Sequence, residues 1–131
     1  MPVEIQSLVT KSYIPIPRRT AQGMDLNRLQ LIIAVLTKRL KIPLYEQDIF
    51  VNIVGGVSIK ETSIDLAVAM AILSSYYETI IPASSIAYGE VGLLGEIRPT
   101  TKEKLRQAEA LQRGYQKIIS YDRYKDLKNT G

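Results

Sequence analysis

The residues predict an α+β fold of two layers, a mixed sheet with helices packed mainly on one face. Three observations carry this. Apolar runs of strand length alternate along the chain with runs at helical spacing. Glycine and proline clusters separate them. The most β-rich run, Ile49 to Val54, is followed by Gly55-Gly56 and then by Ile64 to Leu73, which is apolar except for Asp65 and reads as a buried helix.

Taken in order, Val3 to Val9 alternates as a first strand, with Val3, Ile5 and Val9 on one face. Pro15 and Pro17 hold Ser12 to Arg19 in an extended or turning loop, which the pair Arg18-Arg19 ends. A helix is expected from about Asp25, its cap, to Leu40. Leu26, Leu29, Ile33, Leu36 and Leu40 share one face, and Arg28, Lys38 and Arg39 belong to the others. Lys41-Ile42-Pro43 closes it. Ile49 to Val54 is expected to be buried on both faces. Thr62 or Ser63 is the expected cap of the next helix, Asp65 adds negative charge to its first turn, and Ala67 and Ala71 should face the sheet. Ser74-Ser75-Tyr76-Tyr77 ends that helix.

Ile86 to Val91 reads as a strand, Gly92-Leu93-Leu94-Gly95 as a turn and Glu96-Ile97-Arg98 as the return of a hairpin. Thr101 should cap a helix from about Lys102 to Arg113, with Gly114 at its end. Tyr115 to Ser120 is the last short strand. The expected organisation is one domain over residues 1–120 and a polar tail over 121–131.

A chain of 131 residues is long enough for one domain with its own core. No apolar run approaches the ~20 residues of a membrane span, and the first residues carry no signal-peptide pattern. There are no cysteines, which excludes disulfides and thiolate zinc sites and fits an intracellular origin. There are also no histidines. A Ser-His-Asp triad, a Cys-His dyad and a His-ligated metal are therefore excluded, and a serine nucleophile would need a lysine as its base. The net charge of +4 is unevenly placed: Arg98 to Gly131 holds nine Lys and Arg against four Asp and Glu. Such a basic third fits either an anionic partner such as nucleic acid or a solvated lysine-rich surface.

No G-x-x-x-x-G-K-[ST] motif is present, so ATP hydrolysis by this chain alone is not expected, and the glycine pairs read as turn residues. Ser63 is the serine with a suggestive setting. A hydroxyl at a helix start either satisfies free backbone N–H groups or acts as a nucleophile beside an anion-stabilising site. A Ser-Lys dyad needs an amine within hydrogen-bond reach, and Lys102 and Lys104 are candidates on the expected later helix, which also carries Arg106.

Several motifs together resemble one family. They are Val3-Glu4-Ile5-Gln6-Ser7-Leu8-Val9, Pro17-Arg18-Arg19, Gly23-Met24-Asp25-Leu26-Asn27-Arg28-Leu29, Asp48 to Gly56, Glu61-Thr62-Ser63-Ile64-Asp65-Leu66-Ala67 and Gly89 to Pro99. Over nearly its whole length the chain resembles the Lon-protease-like C-terminal domain of the RadA (Sms) family of DNA-repair ATPases. The resemblance implies a Lon proteolytic-domain-like fold. Lon peptidases carry a Ser-Lys dyad whose serine follows Gly-Pro and precedes Ala-Gly. Here Ser63 is kept, but Ile64 and Asp65 follow it and should crowd a substrate backbone. Counted back from Gly114, the base position falls on Arg106, which cannot deprotonate at working pH. Lys102-Glu103-Lys104 resembles Lon's Lys-Glu-Lys and comes into register with one gap.

The resemblance thus implies a degenerate, non-proteolytic domain that serves as an oligomerisation scaffold and DNA-contacting module. By the same resemblance the parent protein is expected to be an ATPase of recombination and branch migration. The expected partners are single-stranded or branched DNA and further copies of the chain in a ring, with no membrane. Arg18, Arg19, Arg28, Lys102, Lys104 and Arg106 are the expected phosphate contacts. No cofactor is expected in this chain, because ATP and zinc belong to parts of the family protein that precede it. The implied location is the cytoplasm of a bacterium or an organelle. The rivals are an active Lon-like peptidase, with Ser63 as nucleophile and Lys102 or Lys104 as base, and a scaffold with no nucleic-acid contact.

Overall fold

In the computed structural model, residues 4–55, 64–79, 85–98 and 117–119 are described. The first strand, β1 (Glu4–Lys11), alternates as its residues require, turning Ile5, Ser7 and Val9 inward and Glu4, Gln6 and Leu8 outward. It runs antiparallel to β3 (Gln47–Val54), with Ile5 opposite Ile53 and Val9 opposite Ile49. A second strand, β2 (Arg19–Gln22), pairs parallel to β3 on its other side, which gives the order β1-β3-β2. The residues of β2, Arg-Thr-Ala-Gln, carry no apolar alternation, so the segment reads as the end of a loop. Arg18 ends that loop and Arg19 opens the strand.

The central strand is buried on one side rather than on both. Ile49 and Val51 lie under the helices, and Phe50 and Asn52 on the opposite side are half-buried. Asp48 on that outer side is an exception, with 1% of its surface exposed.

The first helix, α1 (Leu26–Arg39), begins where Asp25 accepts a hydrogen bond from the Asn27 N–H and ends at Leu40. Its buried stripe is wider than the expected one: Leu29, Ile33 and Leu36 are joined by Ile32 and Val35, while Leu26 stays exposed. A single 3₁₀ turn, Leu44–Glu46, leads into β3. The second helix, α2 (Asp65–Tyr77), buries Leu66, Val68, Ala69 and Ile72. Ala67 and Ala71, expected to face the sheet, are only half-buried, and Ala69 is the enclosed alanine. A helix of nearly uniform apolarity has no strong sidedness to read. The caps expected at Thr62 and Ser63 lie outside the described residues. The first described turn has no side-chain cap at Ile64; the Leu66 N–H donates instead to the Gly89 carbonyl at 3.0 Å.

The expected strand Ile86 to Val91 is broken in two. β4 (Ser85–Ala87) pairs parallel with β7 (Lys117–Ile119), and β5 (Glu90–Val91) pairs antiparallel with β6 (Ile97–Arg98). The break falls at Tyr88-Gly89. Gly89 has φ +155°, and a Cβ there would meet the Ile97 side chain at 2.9 Å. The architecture is thus mixed α and β with two described helices, and among the described residues the strands form three small sheets rather than one. The helix expected at Lys102 to Arg113 and the tail over 121–131 lie outside the described residues.

The core gathers Leu29, Ile32 and Leu36 of α1, Leu66, Ala69 and Ile72 of α2, Ile49 and Val51 of β3, and Val91 and Ile97 of the hairpin. Burying side chains of this size contributes about 1.5–3 kcal/mol each. Both helices therefore close over the inner face of the three-stranded sheet, and the hairpin packs against α2.

Candidate functional site

Ser63, Lys102, Lys104 and Arg106 lie outside the described residues. The other three named cations are described, and each has a partner within the chain.

Arg18 faces Asp48. Its backbone N–H donates to one carboxylate oxygen at 2.7 Å, and its guanidinium donates to the other from Nε at 3.3 Å and from Nη2 at 2.8 Å. The guanidinium also lies over the Phe50 ring, 5.7 Å from the centroid. Hydrogen bonding from the Arg18 side chain and backbone holds the Asp48 carboxyl down at about 2. The Arg18 side chain is still 62% exposed.

Arg19 turns to the inner side of the sheet. It donates to the Leu44 carbonyl at 3.0 Å, to the Arg18 carbonyl at 3.3 Å and to the Gln47 carbonyl. Partial burial lowers its pKa, and the Asp48 charge pulls the other way. Arg19 thereby ties together the start of β2, the 3₁₀ turn and the start of β3.

Arg28 is held most tightly. Its Nε reaches both oxygens of Asp65 at 3.0 and 3.1 Å, and its Nη2 donates to Asp65 and, at 3.2 Å, to the Val91 carbonyl. Glu90 stands 3.7 Å away. The Val91 N–H donates to Asp65 at 3.1 Å. The ion pair therefore satisfies both backbone groups of Val91, which the β5–β6 ladder leaves unpaired. Asp65 is fully buried. Hydrogen bonding to Asp65 raises the Arg28 pKa. Burial pushes the Asp65 carboxyl up, against the pull of Arg28 and the Val91 N–H.

The Asp65 carboxylate turns into the interior and joins α1, α2 and β5, and the crowding expected beside Ser63 lies outside the described residues. Sequence reasoning placed Arg28 away from the apolar face of the helix and missed the pair. The available signal was Asp65 itself, a lone carboxylate in an apolar helical run, which needs a cation when buried.

Among the described residues no group of three or more Asp or Glu side chains is placed to hold a metal ion. Among them too, no helix is long and apolar enough to cross a membrane.

Comparison with known proteins supplies what these side chains leave open. No protein-family model matches the chain. It is 45% identical over 117 residues to a protein of Haemophilus influenzae named DNA repair protein RadA, a match that covers 89% of the chain and 26% of that relative. The proteins of the same name from Aquifex aeolicus and Escherichia coli match at 48% and 44% identity, over 89% of the chain and 26% and 25% of their own lengths. The chain belongs to the RadA family. It spans about a quarter of the length of these relatives and corresponds to their C-terminal region. The tightly bound pair Arg28 and Asp65 and the helix cap Asp25 all fall within the motifs that carry the family resemblance.

Proposed function

We propose that this chain is a non-proteolytic, Lon-like scaffold and DNA-contacting module of a RadA-type DNA repair and recombination ATPase. The observation that carries the proposal is the 45% identity, over 89% of the chain, to a protein named for DNA repair. In this reading one Lon-like domain spans residues 1–120 and the tail 121–131 follows it. ATP and zinc are bound by other parts of the parent protein. The module assembles as a ring in the cytoplasm and meets single-stranded or branched DNA.

Phosphate contact falls first to Arg18, whose side chain is 62% exposed although paired with Asp48, and to Lys102, Lys104 and Arg106. Arg19 and Arg28 would have to release internal carbonyls or Asp65 to reach a phosphate, so their contribution is to hold the scaffold. The proposed absence of peptidase action rests on Arg106 at the base position and on Ile64-Asp65, which follow Ser63 in place of small residues.

Binding of the chain to single-stranded and forked DNA at low salt, followed by anisotropy, tests the contact. Affinity should fall as salt rises, and Arg18→Ala should weaken binding to all sequences about equally while flattening the log–log salt dependence by roughly one unit. No binding at low salt would leave a scaffold without nucleic-acid contact. Sedimentation of the same sample tests the ring. Labelling of Ser63 by a serine-directed covalent probe, together with Ser63-dependent hydrolysis of an unfolded protein, would replace the proposal with the peptidase.

A further inference from the structure

We infer that the tip of the β5–β6 hairpin is an apolar wedge that enters the base stack where single-stranded and duplex DNA meet. The inference rests on the DNA-contacting reading above and adds to it a site and a preferred DNA form.

The tip is Gly92-Leu93-Leu94-Gly95. Its two central residues are leucines, 65% and 70% exposed. Glycine, asparagine, aspartate, serine and proline usually fill tight turns, because they suit turn backbones or bond to them locally. Leucine does neither, and neither leucine belongs to the core.

The turn is nevertheless firmly held. The Gly95 N–H donates to the Gly92 carbonyl at 3.0 Å, and the Gly92 N–H donates to the Glu96 carbonyl at 2.9 Å. The Leu94 N–H donates to the Glu96 carboxylate at 3.0 Å, and Arg39 Nε donates to the Leu93 carbonyl at 3.2 Å. Gly95 has φ +85°, which a glycine adopts without strain. Below the tip, Arg28 and Asp65 grip Val91. Two apolar side chains are thus fixed in water on a hairpin anchored to both helices.

Cations accompany them. Arg39 touches the turn, Lys38 and Lys41 lie exposed next to Arg39 along the chain at the end of α1, and Arg98 stands on β6 with 56% of its side chain exposed. The acid at the tip, Glu96, is paired with Arg98 at 3.2 Å. Lysine and arginine around an apolar point are what a wedge into nucleic acid requires. The cations hold phosphates, and the side chain between base steps partly unstacks them. Unstacking costs least where the stack is already interrupted, as at a fork. The chemistry therefore favours a junction over uniform duplex or plain single strand.

The test uses the 131-residue chain and a forked DNA with 2-aminopurine at the junction base. Wild type should raise the 2-aminopurine fluorescence on binding and prefer the fork over single-stranded DNA. Leu93→Ser/Leu94→Ser should abolish both the rise and the preference, with single-strand affinity changed less than about twofold, because phosphate contacts dominate affinity. Both side chains are exposed, so its thermal melt should match wild type. Lys38→Gln/Lys41→Gln should weaken binding to every DNA and flatten the salt slope by roughly one to two units, while keeping the fluorescence rise at saturation. An unchanged rise and preference in the leucine variant would overturn the wedge and leave the DNA-contacting reading in place. No DNA binding by wild type at low salt would overturn both. A leucine variant of altered sedimentation mass without DNA would assign the tip to contact between protein chains and overturn the wedge.

Discussion

Arg18–Asp48 and Arg28–Asp65 are chemically the same pair in two settings. In the first, an arginine with 62% of its side chain exposed covers an aspartate on the outer face of the sheet. In the second, an arginine 24% exposed meets a fully buried aspartate between two helices and a hairpin. The carboxyls move in opposite directions. Asp48 is held down to about 2 by the hydrogen bonds from Arg18, whereas burial pushes Asp65 up despite its arginine. The difference teaches what each arginine is free to do. Water already solvates much of Arg18, so a phosphate there exchanges one anion for another. Removing Arg28 from Asp65 would leave a buried charge without a partner.

The largest expected effect follows from that. Arg28→Ala should destabilise the fold by about 3–5 kcal/mol, the usual consequence of breaking one side of a buried pair, and thermal unfolding measures it. A loss no larger than that of Arg18→Ala would break the comparison. The double change Arg28→Met/Asp65→Leu comes next. It removes both charges and fills similar space, so it should be more stable than Arg28→Ala. It should not regain wild-type stability in full, because the Val91 N–H loses its acceptor and the Val91 carbonyl its donor, at about 1–3 kcal/mol for each buried group left unpaired.

The pairs also mark how far sequence could be read. The alternating strand Glu4–Lys11, the helix capped by Asp25 and the Gly92–Gly95 turn were all legible, because periodicity and turn chemistry act locally. The strand Arg19–Gln22 was not, since four polar residues become a strand only beside β3. Nor was the break at Gly89, which the approach of the Ile97 side chain requires. At the candidate site, residue type drew notice to Arg18, Arg19 and Arg28. Apart from the Arg18 carbonyl next to Arg19, their partners lie 25 to 63 positions away in the chain, and that pairing belongs to the fold.

Arg18→Ala should have the smaller effect on stability, lowering the melting temperature less than Arg28→Ala. Solvent screens an exposed guanidinium, and its loss leaves Asp48 still bonded to the Arg18 backbone N–H. The same variant is expected to weaken DNA binding, so for Arg18 the functional change should exceed the structural one. An Arg18→Ala protein with a large melting shift and an unchanged salt slope would reverse the roles given to the two arginines.

The smallest effect is on pH dependence, and there the two aspartates should differ in sign. The folded-state pKa of Asp48 lies below its ordinary 3.8. Its contribution to stability is therefore present above that value and is lost as pH falls toward about 2. Asp65 is raised above 3.8, so the folded state takes up its proton first. Its contribution is largest below the ordinary value and is lost as pH rises through the folded-state pKa. Asp48→Asn and Asp65→Asn separate the two, since each keeps an oxygen able to accept. Between pH 3.8 and about 2, the advantage of wild type over Asp48→Asn should shrink as acid is added. As pH falls toward 3.8 from above, wild type should gain on Asp65→Asn. Denaturant melts across this range measure both differences. Two curves of the same slope would mean that burial does not outweigh the arginine at Asp65, and that the two pairs differ only in exposure.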